Sequence, residues 1–256
     1  DTLLKICETV PDKQDRGIFR LHVDRVFSIK GYGTVVTGTV NSGHLNIGDN
    51  VEIIPGGVTA RVRGMQSHGS EVDSVNMGDR AAVNLQGVEK NDIQRGSQLA
   101  TPGYFKSVNQ MGVKLRLLYS ASKPIVQNQR IRIHLGTQEA MARIAIIGNK
   151  TLELGTEVPA LLRLELPLVA ARKDKFIVRS YSPVVTIGGG EVLEISIQER
   201  WKTVKDKLQA LYDSSEPNQL LQQVQQEASN PMTLQQLQVR LGISEKLIQK
   251  WVSSED

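Results

Sequence analysis

The sequence predicts a mainly β chain, with two consecutive β-barrels followed by a helical, winged-helix-like domain. Three observations carry that prediction. Short runs with the two-residue alternation of half-buried strands recur from Ile18 to about Ile195, punctuated by Gly, Pro, Asn and Asp. Thr101-Pro102-Gly103 breaks this succession once, near its middle. Beyond Glu199 the alternation stops and apolar residues take helical spacing. A length of 256 residues suits two or three domains of roughly 100–200 residues each. With 39% hydrophobic and 23% charged residues, the chain has the composition of a soluble globular protein.

The segments divide as 1–16, 17–103, 104–198 and 199–256. Residues 2–8 have the pattern of the last turns of a helix, and 11–17 are polar enough for a linker. These are expected to be the end of a preceding domain. In the first barrel, Phe19, Leu21 and Val23 alternate with Arg20, His22 and Asp24. Thr34-Val35-Val36-Thr37 is β-branched and follows the turn Gly31-Tyr32-Gly33. Ile47-Gly48-Asp49-Asn50 is a second turn, and further strands begin near Val51, Ala60 and Asp79. In the second barrel, strands are expected over 111–118, 130–135, 142–147, 160–166, 176–180 and 191–195, with Gly188-Gly189-Gly190 as a turn between the last two.

In the tail, 200–212 and 218–228 read as helices, and 233–251 has the layout of a helix-turn-helix. Thr233 and Ser244 are placed to cap its two helices, and Gly242 supplies the turn. That segment is not basic, so a spacer fits it as well as a nucleic-acid reader does.

Charge is uneven. Residues 104–198 hold 13 Lys/Arg against 7 Asp/Glu, whereas the flanking segments are each slightly acidic. The excess favours contact with a polyanion, and equally fits simple solubility. Several classes are excluded or disfavoured. The single cysteine, Cys7, rules out an internal disulfide framework, and His22, His44, His68 and His134 lack metal-ligand spacing. No Gly-x-x-x-x-Gly-Lys-Ser/Thr loop is present, and Gly148-Asn149-Lys150-Thr151 is followed by Leu152 rather than a guanine-reading Asp. No nucleophile with its base stands out, so the chain reads as a non-enzyme. No signal peptide or membrane span is apparent, which gives a cytoplasmic expectation.

Asp24-Arg25-Val26-Phe27-Ser28-Ile29-Lys30-Gly31-Tyr32-Gly33, running on through Thr34-Val35-Val36-Thr37-Gly38, Ile47-Gly48-Asp49 and Ile93-Gln94-Arg95-Gly96, resembles the second domain of translational GTPases of the elongation factor Tu class. The helical tail, His134-Leu135-Gly136-Thr137 and the run from Arg179 to Gly190 resemble the selenocysteine-specific elongation factors within that class. So does Asp24-Arg25, where elongation factor Tu carries two acidic residues.

The resemblance implies a fragment whose first barrel holds the aminoacyl end of selenocysteinyl-tRNA for delivery to the ribosome at recoded stop codons. It implies GTP and Mg in a missing domain, no cofactor here, a monomer, and a messenger hairpin bound only through missing C-terminal modules. Arg25 and Arg95 would attract the selenolate, Asp24 would accept from the amino group or orient Arg25, and Phe19 would wall the pocket. Selenols are more acidic than thiols, whose pKa is ~8.5, so two permanent cations favour the selenium species. Arg130, Arg132, Arg172, Lys173 and Lys175 are the expected contacts to the tRNA backbone, though each alone has the pattern of a surface cation. Two alternatives remain: a general elongation factor Tu-like fragment, and a winged-helix transcription regulator with a β-barrel ligand domain.

Overall fold

The computed structural model describes residues 15–195, 197, 199–214, 233–241 and 243–252. The expected helices at 2–8 and 218–228 lie outside these. The first barrel is built from β1 (Arg20–Ile29), β2 (Gly33–Ser42), β4 (Asn50–Ile54), β5 (Val58–Ser67), β8 (Arg80–Gln86) and β9 (Gln98–Ala100). Their order is β4-β9-β1-β2-β8-β5, and pairing of β4 with β5 closes the ring. The short strands β3 (His44–Asn46), β6 (Ser70–Val72) and β7 (Ser74–Asn76) attach outside it, β3 pairing with β7 and β6 with β5. Alternation decides the core: Leu21, Val23, Val36, Val83 and Leu99 face inward and are fully buried.

The second barrel closes as β10 (Ser107–Leu117), β15 (Glu157–Val169), β13 (Gln138–Ile146), β12 (Arg130–Leu135), β16 (Lys175–Arg179) and β17 (Thr186–Glu194). β11 (Ile125–Val126) and β14 (Thr151–Leu152) form a separate two-stranded pair. Ile131, Ile133, Ala142, Ile144, Leu162 and Val178 fill the interior. One expectation is corrected here. Gly188, Gly189 and Gly190 are not a turn but part of β17. A Cβ on Gly188 would stand 2.4 Å from the Arg116 carbonyl, and one on Gly190 would stand 2.1 Å from that of Lys114 and 2.7 Å from the Phe176 ring. The glycines let neighbouring strands and an aromatic ring approach the backbone.

The barrels meet through an apolar patch of Ile18, Ile54, Ala100, Phe105, Val169 and Ala171. Beside it lies a polar network centred on Arg20. This guanidinium donates from Nε to Gln98 Oε1 at 2.6 Å, from Nη1 to both Asp174 oxygens at 2.8 and 2.7 Å, and from Nη2 to the Val169 carbonyl at 3.1 Å. Its carbon end stacks 4.8 Å from the Phe105 ring centre.

Of the helical tail, three helices are described: α1 (Trp201–Asp213), α2 (Leu234–Leu241) and α3 (Glu245–Val252). α1 lays Val204, Leu208 and Leu211 on the outside of the second barrel, against Ala145, Leu161 and Leu193. Thr233 caps α2: its Oγ1 accepts from the Gln236 N–H at 3.2 Å, while its own N–H donates to Gln236 Oε1 at 2.8 Å. Ile243 and Ile248 are buried where α2 and α3 meet, packed with Leu237 and Leu247.

Candidate functional site

A β-bulge organises the first part of the site. The register of β1 on β2 slips between Val23 and Arg25, so Val23 faces Gly38 while Arg25 already faces Thr37. The slip gives Asp24 no opposite partner and lets it share the outer face with Arg25, because Val23 points into the core on one side and Val26 on the other. Asp24 accepts from the Thr37 hydroxyl at 2.8 Å and is clamped by both terminal nitrogens of Arg80, on the next strand but one. The Arg80 guanidinium beside it, above all, holds the Asp24 carboxyl below its ordinary range, while partial burial opposes this more weakly. Arg25 is exposed and has no hydrogen bond or ion pair with a described residue beyond the field of Asp24. Arg95 is also exposed. Gly96 N–H donates to Val23 O at 3.1 Å, and Val23 N–H to Ser97 O at 2.9 Å, which brings the Arg95 turn to the same end of β1.

A cleft of about 530 Å³ continues this face. Phe27 faces Val35, and Val35 faces Asn84, so one cross-strand row lines the cleft. Tyr32 (63% exposed), Met65 and Gln66 close its sides. The Asn84 Oδ1 is buried and accepts no hydrogen bond from the described residues. A slot with apolar and aromatic walls, a charged rim of Arg63, Glu71 and Asp73 and an unsatisfied amide acceptor has the chemistry to stack a flat heterocycle and receive its N–H donor.

On the second barrel, cations stand in register across strands. Arg163 of β15 faces Arg143 of β13, which faces Arg130 of β12; Arg132 of β12 faces Arg179 of β16. Their sequence neighbours fill the core, so all five arginines point outward. Two carboxylates partly answer them: Glu165 takes Arg130 at 2.7 Å and Glu139 pairs with Arg132. Arg130 also stacks 4.8 Å over Tyr181. The Nε atoms of Arg132 and Arg179 are buried without a hydrogen-bond partner among the described residues. Like charges set directly opposite each other destabilise a sheet, so this face is built at a cost that an opposing negative charge would offset.

The expected residues therefore scatter. Phe19 is 4% exposed and belongs to the core of the first barrel, which removes it from any pocket wall. Asp24 and Arg25 come together, but the guanidinium closing on Asp24 is that of Arg80. Arg130 and Arg132 lie on the basic face. Arg172 does not: it is 5% exposed, in the seam between the barrels, where the carboxylates of Glu191 and Glu194 lie near it. Lys175 pairs with Glu191, but its side chain stays 74% exposed. Arg80, Arg143, Arg163 and Arg179 were missed. Each occupies the polar phase of an alternating strand, but only strand register reveals which of them meet.

Lys173 sits in this seam with a left-handed backbone (φ 66°). Burial, aided by Arg172, lowers its pKa from 10.5 to about 8. Between those values the unfolded chain binds the proton that the folded chain has released. Stability must therefore rise as pH climbs from 8 towards 10.5. Thermal unfolding across this range should show the rise, and Lys173→Gln should flatten it.

Two closed antiparallel barrels, one with a cleft of about 530 Å³ and the other with an arginine face, match the domains of translation factors. Residues 33–100 match the family described as elongation factor Tu domain 2, and residues 113–199 match the selenocysteine-specific elongation factor beta-barrel domain. The chain is similar to the selenocysteine-specific elongation factors over most of its length. It is 34% identical over 94% of its length to that of Desulfomicrobium baculatum, and 29% identical over 75% to that of Escherichia coli. It spans only 38% and 30% of those relatives. The crystal structure of bacterial selenocysteine-specific elongation factor EF-Sec superposes with a TM-score of 0.76 at 27% identity, covering 96% of this chain and 39% of that one.

Proposed function

We propose that this chain is the tRNA-holding part of a selenocysteine-specific elongation factor, which delivers selenocysteinyl-tRNA to the ribosome at recoded stop codons. The supporting observation is the continuous outer face of β1, β2 and β8. Asp24, Arg25 and Arg80 lie at one end of it, and the cleft lined by Phe27, Val35 and Asn84 at the other. A terminal adenosine in the cleft directs its aminoacyl ester towards the charged end. There Asp24 receives the amino group, and the guanidiniums of Arg25 and Arg80, with Arg95 close by, favour a selenolate over a neutral hydroxyl. The arginine rows of the second barrel run along the acceptor-side backbone.

Arg25 and Arg95 are both open to solvent, where charge pairing is weak; a further domain covering them would strengthen it. We assign GTP and its magnesium ion to such a domain of the whole factor. No residue set here fits them: the phosphate-loop motif is absent and Gly188-Gly189-Gly190 lie within a strand. The chain itself is then non-catalytic, and the whole factor is a cytoplasmic monomer. The helical tail is the first winged-helix module, with the messenger hairpin bound by modules beyond it. Among the described residues no helix is long and apolar enough to cross a membrane.

The test is discrimination by the whole factor. Arg25→Ala or Arg80→Ala should reduce the preference for selenocysteinyl- over seryl-tRNA by about ten- to a hundredfold, equivalent to about 1.4–2.8 kcal/mol. Unchanged preference in both variants would remove the pocket assignment.

A further inference from the structure

Three consecutive residues at the entrance to the first barrel each grip a different part of the molecule. The Asp15 Oδ1 accepts from the N–H groups of Gly17 at 3.0 Å and of Gly43, in the first barrel, at 2.7 Å. The guanidinium of Arg16 reaches across to Asp174 of the second barrel at 3.5 Å. The Arg16 carbonyl accepts from the backbone N–H of Ser244, immediately before α3, at 2.8 Å. A helix start leaves backbone donors without internal partners, and here the linker supplies an acceptor.

Gly17 fits this contact closely. Its φ of +70° is unfavourable for other residues, and a Cβ there would lie 2.6 Å from the Ser244 Oγ and 2.9 Å from its Cβ. A second bond lies beside the Ile18 patch, where the Tyr104 hydroxyl donates to the Oε1 of the buried Gln238 of α2 at 3.2 Å.

We propose that residues 15–17 form a three-way joint that docks the chain's own α2 and α3 helices onto the two barrels. The contact is polar and small, held by two hydrogen bonds and a glycine-sized gap, so it is suited to opening and closing rather than to permanent packing. A displacement of the chain entering at Asp15 acts on the backbone that holds α3. Movement upstream of the first barrel is thereby coupled to the position of the helical module. The inference is independent of what the barrels bind.

The test uses the complete chain with Cys7→Ser and spin labels at Ser70→Cys and Lys246→Cys, read by pulsed dipolar spectroscopy. The parent should give one narrow distance distribution. Gly17→Ala should broaden it and shift it to longer distances. Adding Ser244→Gly, which removes both atoms that the new Cβ meets, should narrow the distribution part of the way, the left-handed φ at residue 17 still disfavouring alanine. Circular dichroism of each variant checks that the barrels stay folded. Should Gly17→Ala impair folding, Tyr104→Phe with Gln238→Leu breaks the second bond without touching the linker and should also broaden the distribution. A distribution unchanged by both kinds of variant, or a double variant that stays as broad as Gly17→Ala, overturns the joint.

Discussion

Arg20→Ala will cost about 3–5 kcal/mol and uncouple the unfolding of the two barrels. Arg20 is 1% exposed, and its partners come from both barrels: Gln98 from the first, Asp174 and the Val169 carbonyl from the second. Truncation leaves Asp174 buried with only Arg16 at 3.5 Å and the Ala171 N–H at 2.8 Å. It also strands the Gln98 carbonyl and opens a space beside Phe105. Most single domains have a total stability of about 5–15 kcal/mol, so this loss is a large share. Urea unfolding followed by far-ultraviolet circular dichroism and by Trp201 fluorescence, in a Trp251→Phe background, should show coincident transitions in the parent and separated ones in the variant. The double change Arg20→Met with Asp174→Leu removes both charges and should recover much of the loss, because the expense lies in the unpaired ion rather than in the missing pair. Coincident transitions at an unchanged midpoint in Arg20→Ala would show that the apolar patch alone joins the barrels.

The same residue marks where sequence reading stops. Alternation around Leu21 and Val23 assigns both to the core and places Arg20 on the opposite phase. It cannot reveal that the opposite phase is covered by a second barrel, since Asp174 lies 154 residues away. The bulge at Asp24 is hidden for a similar reason. A phase slip exists only in the pairing of β1 with β2, and without it Asp24 and Arg25 would point to opposite faces. Arg80 was therefore invisible as the partner of Asp24, and Arg25 was singled out by family resemblance rather than by strand pattern.

Local features fared better. The amphipathic spacing of Val204, Leu208 and Leu211 and the cap at Thr233 are short-range, and both appear where the sequence puts them. Arg172 failed as a surface contact because a run of cations looks the same in a seam lined with carboxylates as it does in solvent.

The arginine rows should behave oppositely in stability and in binding. Arg143 faces Arg130 on one side and Arg163 on the other; among the described residues its side chain donates to the Asn128 carbonyl at 3.3 Å and lies in the field of Glu165. Relieving two like-charge oppositions makes Arg143→Gln more stable than the parent by up to about 1 kcal/mol in the absence of RNA. The triple change Arg130→Gln, Arg143→Gln and Arg163→Gln removes three cations from one line across three strands. If that line follows a phosphate backbone, the slope of log affinity against log salt for charged tRNA should fall in magnitude by about two to three, since each lost phosphate contact contributes ~0.7–0.9. At moderate salt the affinity of the whole factor should drop by roughly an order of magnitude or more. Lys202→Gln, an exposed cation on α1 outside the rows, serves as the control and should leave the slope unchanged. A surface kept only for solubility would lose neither slope nor affinity in the triple variant. A surface whose arginines were held for stability would melt lower with Arg143→Gln. Only a face that sacrifices sheet stability to bind a polyanion gives higher melting and weaker RNA binding together.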